Sequence, residues 1–285
     1  MPPGFSPSIS EPFFPGESSR LAPGGLRLEV AGATHVGRVR RRNEDSFSYL
    51  ESPAGAGSRR LDALLLVADG MGGERAGDRA SRMAAEGVRG RFASGAYREW
   101  PEFRQRLWEP AVAERVVREI NQEIFAVGER EPELRGLGTT VVMALVSGRR
   151  LTVAHVGDSR CYRVRDDTIE LLTTDHSWVA AQVAAGLLDA EEARRHPYRN
   201  VLTRSLGDAL SPRTDVRIED WRDGDLLILC SDGLTGEVRD RDILAHTRSC
   251  PDPRRLADSL VRLANDQDGS DNVTVLVGRC RNGSA

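Results

Sequence analysis

At 285 residues, with 39% hydrophobic and 29% charged residues, the chain has the composition of a soluble globular protein of one large or two small domains. Its formal charge of -3 supplies no overall basic field for nucleic acid, and all 40 basic residues are arginine, which excludes a Walker A loop and a lysine nucleophile. No run approaches the ~18 apolar residues of a membrane span, and the first residues lack the basic start and apolar core of a secretory signal. The four cysteines are scattered without a CxxC pair, as buried thiols of a reducing compartment would be. A cytoplasmic protein is the expectation.

Residues 1–25 are rich in Pro, Gly and Ser without periodicity and read as a disordered tail. The folded domain is expected over 26–281, starting with a strand in LRLEVAGATHVG. An arginine-dense passage follows, from Arg40, Arg41 and Arg42 through Asn43 to Glu44 and Asp45, set between two strand-like segments. LLLVADGMGG, Leu64 to Gly73, is a short continuous apolar run of the kind a buried strand shows, ending in Asp69 and glycines that permit turns. Helices are predicted from Glu74 to Phe92 and from about 101 to 127. GLGTTVVMALVSGRRLTVAHVGDSR reads as two strands joined by a hairpin at SGRR, with a further strand near TIELLT. Between about 175 and 200 the pattern changes to short helices, one capped by Asp189, as in a small flap over the strand ends. A strand at 225–230, a helix at 253–264 and a last strand in NVTVLVGRC complete the domain. Hairpin-linked strands interspersed with helices predict antiparallel sheets with helices outside.

The arrangement of a strand end, an aspartate and a nearby glycine occurs at Asp69, Asp158, Asp232 and Asp271. One such turn is ordinary local chemistry. Four of them imply one carboxylate cluster at one sheet edge. Clustered carboxylates repel one another unless cations or protons lie between them. An all-oxygen donor set suits magnesium or manganese, whereas zinc would favour His and Cys. EF-hand spacing is absent, and His155 reads as a packed core residue. Two such ions sharing one aspartate make a bridging hydroxide that can attack a phosphate ester in line. Arg40, four residues before Glu44, is placed to hold the phosphoryl oxygens.

These residues resemble the metal-dependent PP2C-type (PPM) protein serine/threonine phosphatases, in their compact bacterial branch. The resemblance is carried by RxxNED at Arg40 to Asp45, VADGMGG at Val67 to Gly73 and GLGTT at Gly136 to Thr140. It continues with VGDSR at Val156 to Arg160, DHS at Asp175 to Ser177, NVLTRSLG at Asn200 to Gly207, CSDGL at Cys230 to Leu234 and DNVT at Asp271 to Thr274. The eight motifs fall in the family's order across nearly the whole chain outside the tail. The fold implied is α+β, a four-layer αββα sandwich of two antiparallel sheets flanked by helices, with the flap as an insertion.

By that resemblance Asp69 would bridge two Mn2+ or Mg2+ ions and the Gly70 carbonyl would bind one of them. Asp232 and Asp271 would hold the other, and Asp158 with Asp232 a third, weaker one. Arg40 would bind substrate phosphate, and Glu44 and Asp45 would orient bound waters. One departure is that Met71 and Glu74 stand where the family often carries a histidine as general acid. That leaves leaving-group protonation to a metal-bound water or to Glu74. The function implied is hydrolysis of phosphoserine and phosphothreonine in proteins, reversing a bacterial Ser/Thr kinase. The partners expected are that kinase and its substrates, with no nucleic acid or membrane, and a monomeric state. The alternative is a catalytically impaired phosphoprotein-binding pseudophosphatase. An arginine-rich nucleic-acid binder is disfavoured by the acidic cluster.

Overall fold

The computed structural model describes residues 26–51, 61–72, 76–100 and 109–282. The tail, Gly73, Glu74 and the first part of the helix expected from 101 lie outside them.

The chain begins with β1 (Leu26–His35), β2 (Asp45–Glu51) and β3 (Ala63–Met71), then α1 (Ala76–Ser94) and α2 (Pro110–Arg130). Strands β4 (Gly138–Thr139), β5 (Val141–Ser147), β6 (Arg150–Val156), β7 (Arg160–Arg165) and β8 (Thr168–Leu171) follow. Short helices α3 (Trp178–Ala184) and α4 (Ala190–Arg195) precede β9 (Asp215–Asp220) and β10 (Leu226–Cys230). The chain closes with α5 (Asp232–Thr235), α6 (Asp240–Ser249), α7 (Pro253–Gln267) and β11 (Val273–Asn282).

The strands form two antiparallel sheets. One runs β1-β11-β10-β7-β8 and the other β2-β3-β5-β6-β9, with β4 added to β3. The expected αββα sandwich is what the chain adopts. In β3, Ala63, Leu65 and Val67 face the opposing sheet and pack with Leu229 and Leu276. Leu64, Leu66 and Ala68 face outward beneath α1 and α2. Because both faces are buried, the strand shows no polar alternation. Each leucine there contributes roughly 1.5–3 kcal/mol by leaving water. The outer face of the other sheet, with Ile228, Val275 and Val277, is covered by α7 through Leu256, Leu260 and Ala264. Asp252 caps that helix, accepting from the Arg255 amide at 2.9 Å, and Pro253 sits at its first turn.

Several boundaries depart from the sequence expectation. Glu109 is extended, so the second helix begins at Pro110, and residues 101–108 lie outside the described range. The residue before a proline is pushed out of the helical region, which sets that start. The hairpin turn at SGRR is a two-residue turn, since Ser147 pairs with Arg150. Strand β9 and helix α6 were not anticipated. β9 is a charged edge strand whose Arg217 pairs with Glu170 at 2.6 Å, and its two apolar residues, Val216 and Ile218, make too short an alternation to mark it. α6, with Ile243 and Thr247 as its buried residues, is equally polar.

The flap is a closed excursion. At its base Ser177 bridges to Leu202, Trp178 N–H donates to Val201 O at 2.8 Å, and Thr203 N–H donates to His176 O at 2.8 Å. Asp189 caps α4 in a capping box with Glu192.

Candidate metal centre and active site

The site lies where the chain passes between the two sheets. Asp45 and Asp69 are direct neighbours across β2 and β3 of one sheet. Asp232 follows β10 and Asp271 precedes β11 in the other. Asp158 lies in the turn that carries the chain from β6 in one sheet to β7 in the other.

These carboxylates share one electrostatic environment. Burial raises the Asp69 carboxyl well above the usual range, and Asp45, Asp232 and Asp158 raise it further. Burial likewise raises Asp158, with Asp232 and Asp175 adding to it, and raises Asp232, with Asp271 adding to it. Asp69 and Asp232 act on each other, and the Asp232 charge is among the causes that raise Asp69. Burial pushes Asp45 up to about 7 against the hydrogen bond from Ser231. Ser231 Oγ donates to Asp45 Oδ2 at 2.7 Å, while Asp45 Oδ1 is buried with no hydrogen-bond partner among the described residues. An orphaned buried carboxylate oxygen amid carboxyls that can ionise only at a cost is the donor set a hard divalent cation satisfies. The residues present therefore fit the expected ions.

The backbone around the cluster is pinned by side chains. Thr140 Oγ1 accepts from the Asp69 amide at 2.9 Å, and Thr139 Oγ1 donates to Asp69 O at 2.8 Å. Gly70 is wedged between chains: a Cβ there would lie 2.1 Å from Gly77 O and 2.6 Å from Glu44 O, so no other residue fits. Glu44 Oε1 lies at the same spot, 2.8 Å from where a Gly77 Cβ would be. Asn272 holds the RxxNED loop: its Oδ1 accepts from the Glu44 amide at 2.8 Å and its Nδ2 donates to Val36 O and Arg42 O, both at 2.9 Å.

Arg40 reaches the cluster. Its Nη2 donates to Asp271 Oδ2 at 2.7 Å, and Asp271, then Glu44 and Asp232, hold its guanidinium pKa above the ordinary value. Half of that side chain remains exposed, at 49%. A phosphate arriving from solvent would meet this fork beside the carboxylates. Met71 closes β3, and Glu74 lies outside the described residues.

Sequence reasoning named the carboxylates and did not assign roles to Asn272, Ser231, Thr139, Thr140, Asp175 or His176. Asp175 forms a two-pronged ion pair with Arg160, at 2.7 Å from Nη2 and 2.9 Å from Nε. His176 Nδ1 accepts from the Gly157 amide at 3.1 Å, next to Asp158. All six lie inside the recurring motifs, which was the available signal.

One other donor trio, His155, His176 and Asp215, lies within 4.8 Å of itself. It does not fit a metal. The imidazoles stack at 4.7 Å between centroids and 16° between planes, so their in-plane lone pairs run side by side and do not converge. The trio already contains a cation: Arg204 Nη1 donates to Asp215 Oδ1 at 2.9 Å and lies 3.0 Å from His176 Nε2. Burial lowers the pKa of both histidines, as expected for neutral packed rings.

Comparison with known proteins points the same way as this geometry. Residues 32–271 match the family model described as protein phosphatase 2C. The serine/threonine phosphatase Stp of Listeria innocua is 35% identical over 244 residues, covering 86% of this chain and 92% of that protein. The serine/threonine phosphatase structure from S. agalactiae superposes with a TM-score of 0.78 at 33% identity, covering 88% of this chain and 99% of that one. The catalytic domain of PstP in complex with two manganese ions superposes with a TM-score of 0.71 at 36% identity, covering 90% of this chain and 99% of that one.

Proposed function

This chain belongs to the protein phosphatase 2C family, and from that premise we propose that it hydrolyses phosphoserine and phosphothreonine in proteins with Mn2+ or Mg2+ as cofactor. The observation that carries this reading is the set of buried carboxyls with raised pKa, facing a half-exposed arginine at the seam of the two sheets. Asp69, the Gly70 carbonyl, Asp232 and Asp271 would hold the two ions, and Asp158 with Asp232 a third. The chemistry the ions supply is a water acidic enough at neutral pH to attack phosphorus.

The remaining work falls to the chain. Arg40 binds and orients the phosphoryl oxygens, exchanging its Asp271 partner for the substrate. Asp45 and Glu44, fixed by Ser231 and Asn272, accept hydrogen bonds from water and set its direction of approach. Thr139 and Thr140 hold the Asp69 backbone, so the carboxylate is aimed before substrate arrives.

We assign residues 26–281 to one phosphatase domain with its flap at about 175–200. The protein acts as a cytoplasmic monomer on the products of a bacterial Ser/Thr kinase. No helix among the described residues is long and apolar enough to cross a membrane. The full set of Asp69, Asp232 and Asp271 leaves the impaired, binding-only reading without support.

The test is hydrolysis of a phosphothreonine peptide with manganese, magnesium, calcium or EDTA, beside Asp232→Ala. Turnover with manganese or magnesium that disappears with EDTA and in the variant is expected. Manganese binding and phosphopeptide retention without turnover would replace the reading by the pseudophosphatase.

A further inference from the structure

The arginine run of the RxxNED loop is only partly absorbed by this reading. Arg38 is neutralised by Asp266 at 2.8 Å, and Arg40 faces Asp271 at 2.7 Å. Arg42 is anchored through its carbonyl by Asn272. Arg41 differs: it is exposed and has no ion-pair or hydrogen-bond partner among the described residues. Val39, two residues away, is 70% exposed, so this stretch of the loop stands in solvent at the rim of the site. A residue with an unneutralised, solvent-exposed guanidinium thus directly follows the arginine that faces the carboxylate cluster.

We propose that Arg41 gives this enzyme a preference for phosphopeptides with a second anionic group, a carboxylate or another phosphate, close to the phosphorylated residue. The inference rests on the phosphatase reading above. The Arg40 and Arg41 Cα atoms are ~3.8 Å apart across one trans peptide. A peptide bound in extended form advances ~3.3 Å per residue. An anion one to three residues from the phosphorylated side chain therefore passes within the span of an arginine side chain anchored at 41. Screening at physiological salt extends over ~8 Å, so the attraction is felt at that range and fades as salt rises. The contact is an exposed ion pair, which sets its size at about two- to fivefold in kcat/KM.

The test uses the full chain with manganese and a matched set of phosphothreonine peptides. The neighbouring positions carry Asp, Glu, phosphothreonine or the neutral Asn and Gln. The readout is the ratio of kcat/KM for each anionic peptide to its neutral counterpart, at low and high salt. In the native protein the ratio should be about two to five and should shrink with salt. Arg41→Lys should keep it, Arg41→Ala should bring it to about one, and Arg41→Glu should invert it, with the change in KM rather than kcat. A larger ratio for phosphothreonine than for Asp would assign the preference to a second phosphate, and equal ratios to negative charge of either kind. A native ratio of one, or a ratio that Arg41→Glu leaves intact, overturns the proposal while the hydrolysis itself stands. Absence of hydrolysis for every peptide with manganese bound would instead overturn the phosphatase reading.

Discussion

Asn272 grips three backbone positions of the loop between β1 and β2 with one amide group, accepting from Glu44 and donating to Val36 and Arg42. Replacing it leaves one buried amide and two carbonyls seeking partners. Asn272→Ala is therefore expected to weaken manganese affinity by about 10–100-fold, as removal of a supporting group beyond the ligands does, measured by manganese titration. An unchanged affinity would show that the loop holds its shape without it. Asp232→Ala removes a carboxylate that touches the environment of Asp69, Asp158 and Asp271, and should cost at least about a hundredfold in turnover. At this scale the sequence was most legible for the acidic side chains, because a strand end, Asp and Gly recur together. Asn272 could be seen as part of DNVT, but its partners lie more than two hundred residues away along the chain. Nothing local marks such a contact. The same holds for Ser231, whose hydroxyl meets Asp45 across 186 residues.

Elements fix how closely these segments approach. At Gly233, in the first turn of α5, a Cβ would lie 1.9 Å from Asn272 O, so the helix carrying Asp232 packs backbone to backbone on the start of β11. Gly233→Ala should force α5 away from β11. The expected outcome is a fall in stability of more than about 2 kcal/mol, the overpacking range, together with weaker manganese binding. A thermal melt unchanged from the native protein would contradict the close approach. The flap is tied at its base and again through α4, where Arg194 donates to Thr235 O at 3.0 Å and to Gly236 O at 2.9 Å. Asp189→Ala removes the cap of α4, worth about 1 kcal/mol to that helix. Faster hydrogen exchange at the Glu191 and Glu192 amides is expected, with the global melting temperature unchanged. The capping residue was readable because capping is local. The edge strand β9 was not, since it is short and its charges are satisfied by Glu170 on β8 and Arg163 on β7, both in the other sheet.

For the whole molecule, the raised carboxyl pKa values carry a sign that can be checked. Without cations, the folded chain binds more protons than the unfolded one between the ordinary carboxylate pKa and the raised values, about 7 for Asp45. The stability those groups contribute is thus present at acid pH and lost as pH rises through that window. A divalent cation competes with the same protons, so the rise in melting temperature caused by manganese should grow from pH 5 to pH 8, relative to EDTA at each pH. A manganese-induced shift independent of pH would mean the buried carboxyls are not its ligands. The two neutral histidines work in the opposite direction. Their lowered pKa values mean that stability falls with acidification below their unfolded value of about 6.5. Comparing the shift with and without manganese at each pH cancels their contribution. The sandwich as a whole was legible, since doubly buried strands such as β3 read as unbroken apolar runs.

The carboxylates also have a mechanical consequence. Asp45 and Asp69 belong to one sheet, Asp232 and Asp271 flank strands of the other, and Asp158 lies on the crossing between them. Away from the site the two sheets meet through apolar side chains such as Leu65, Leu229 and Leu276, a contact with no direction of its own, and through ion pairs at the β7, β8 and β9 edge. A cation gripped from both sides would act as a rivet through the seam, resisting shear of one sheet across the other. Stretched along the strands, the loaded protein should yield at a higher force than the chelated one, and the difference should vanish in Asp232→Ala. The catalytic centre would then also be the joint that keeps the two halves of the sandwich in register.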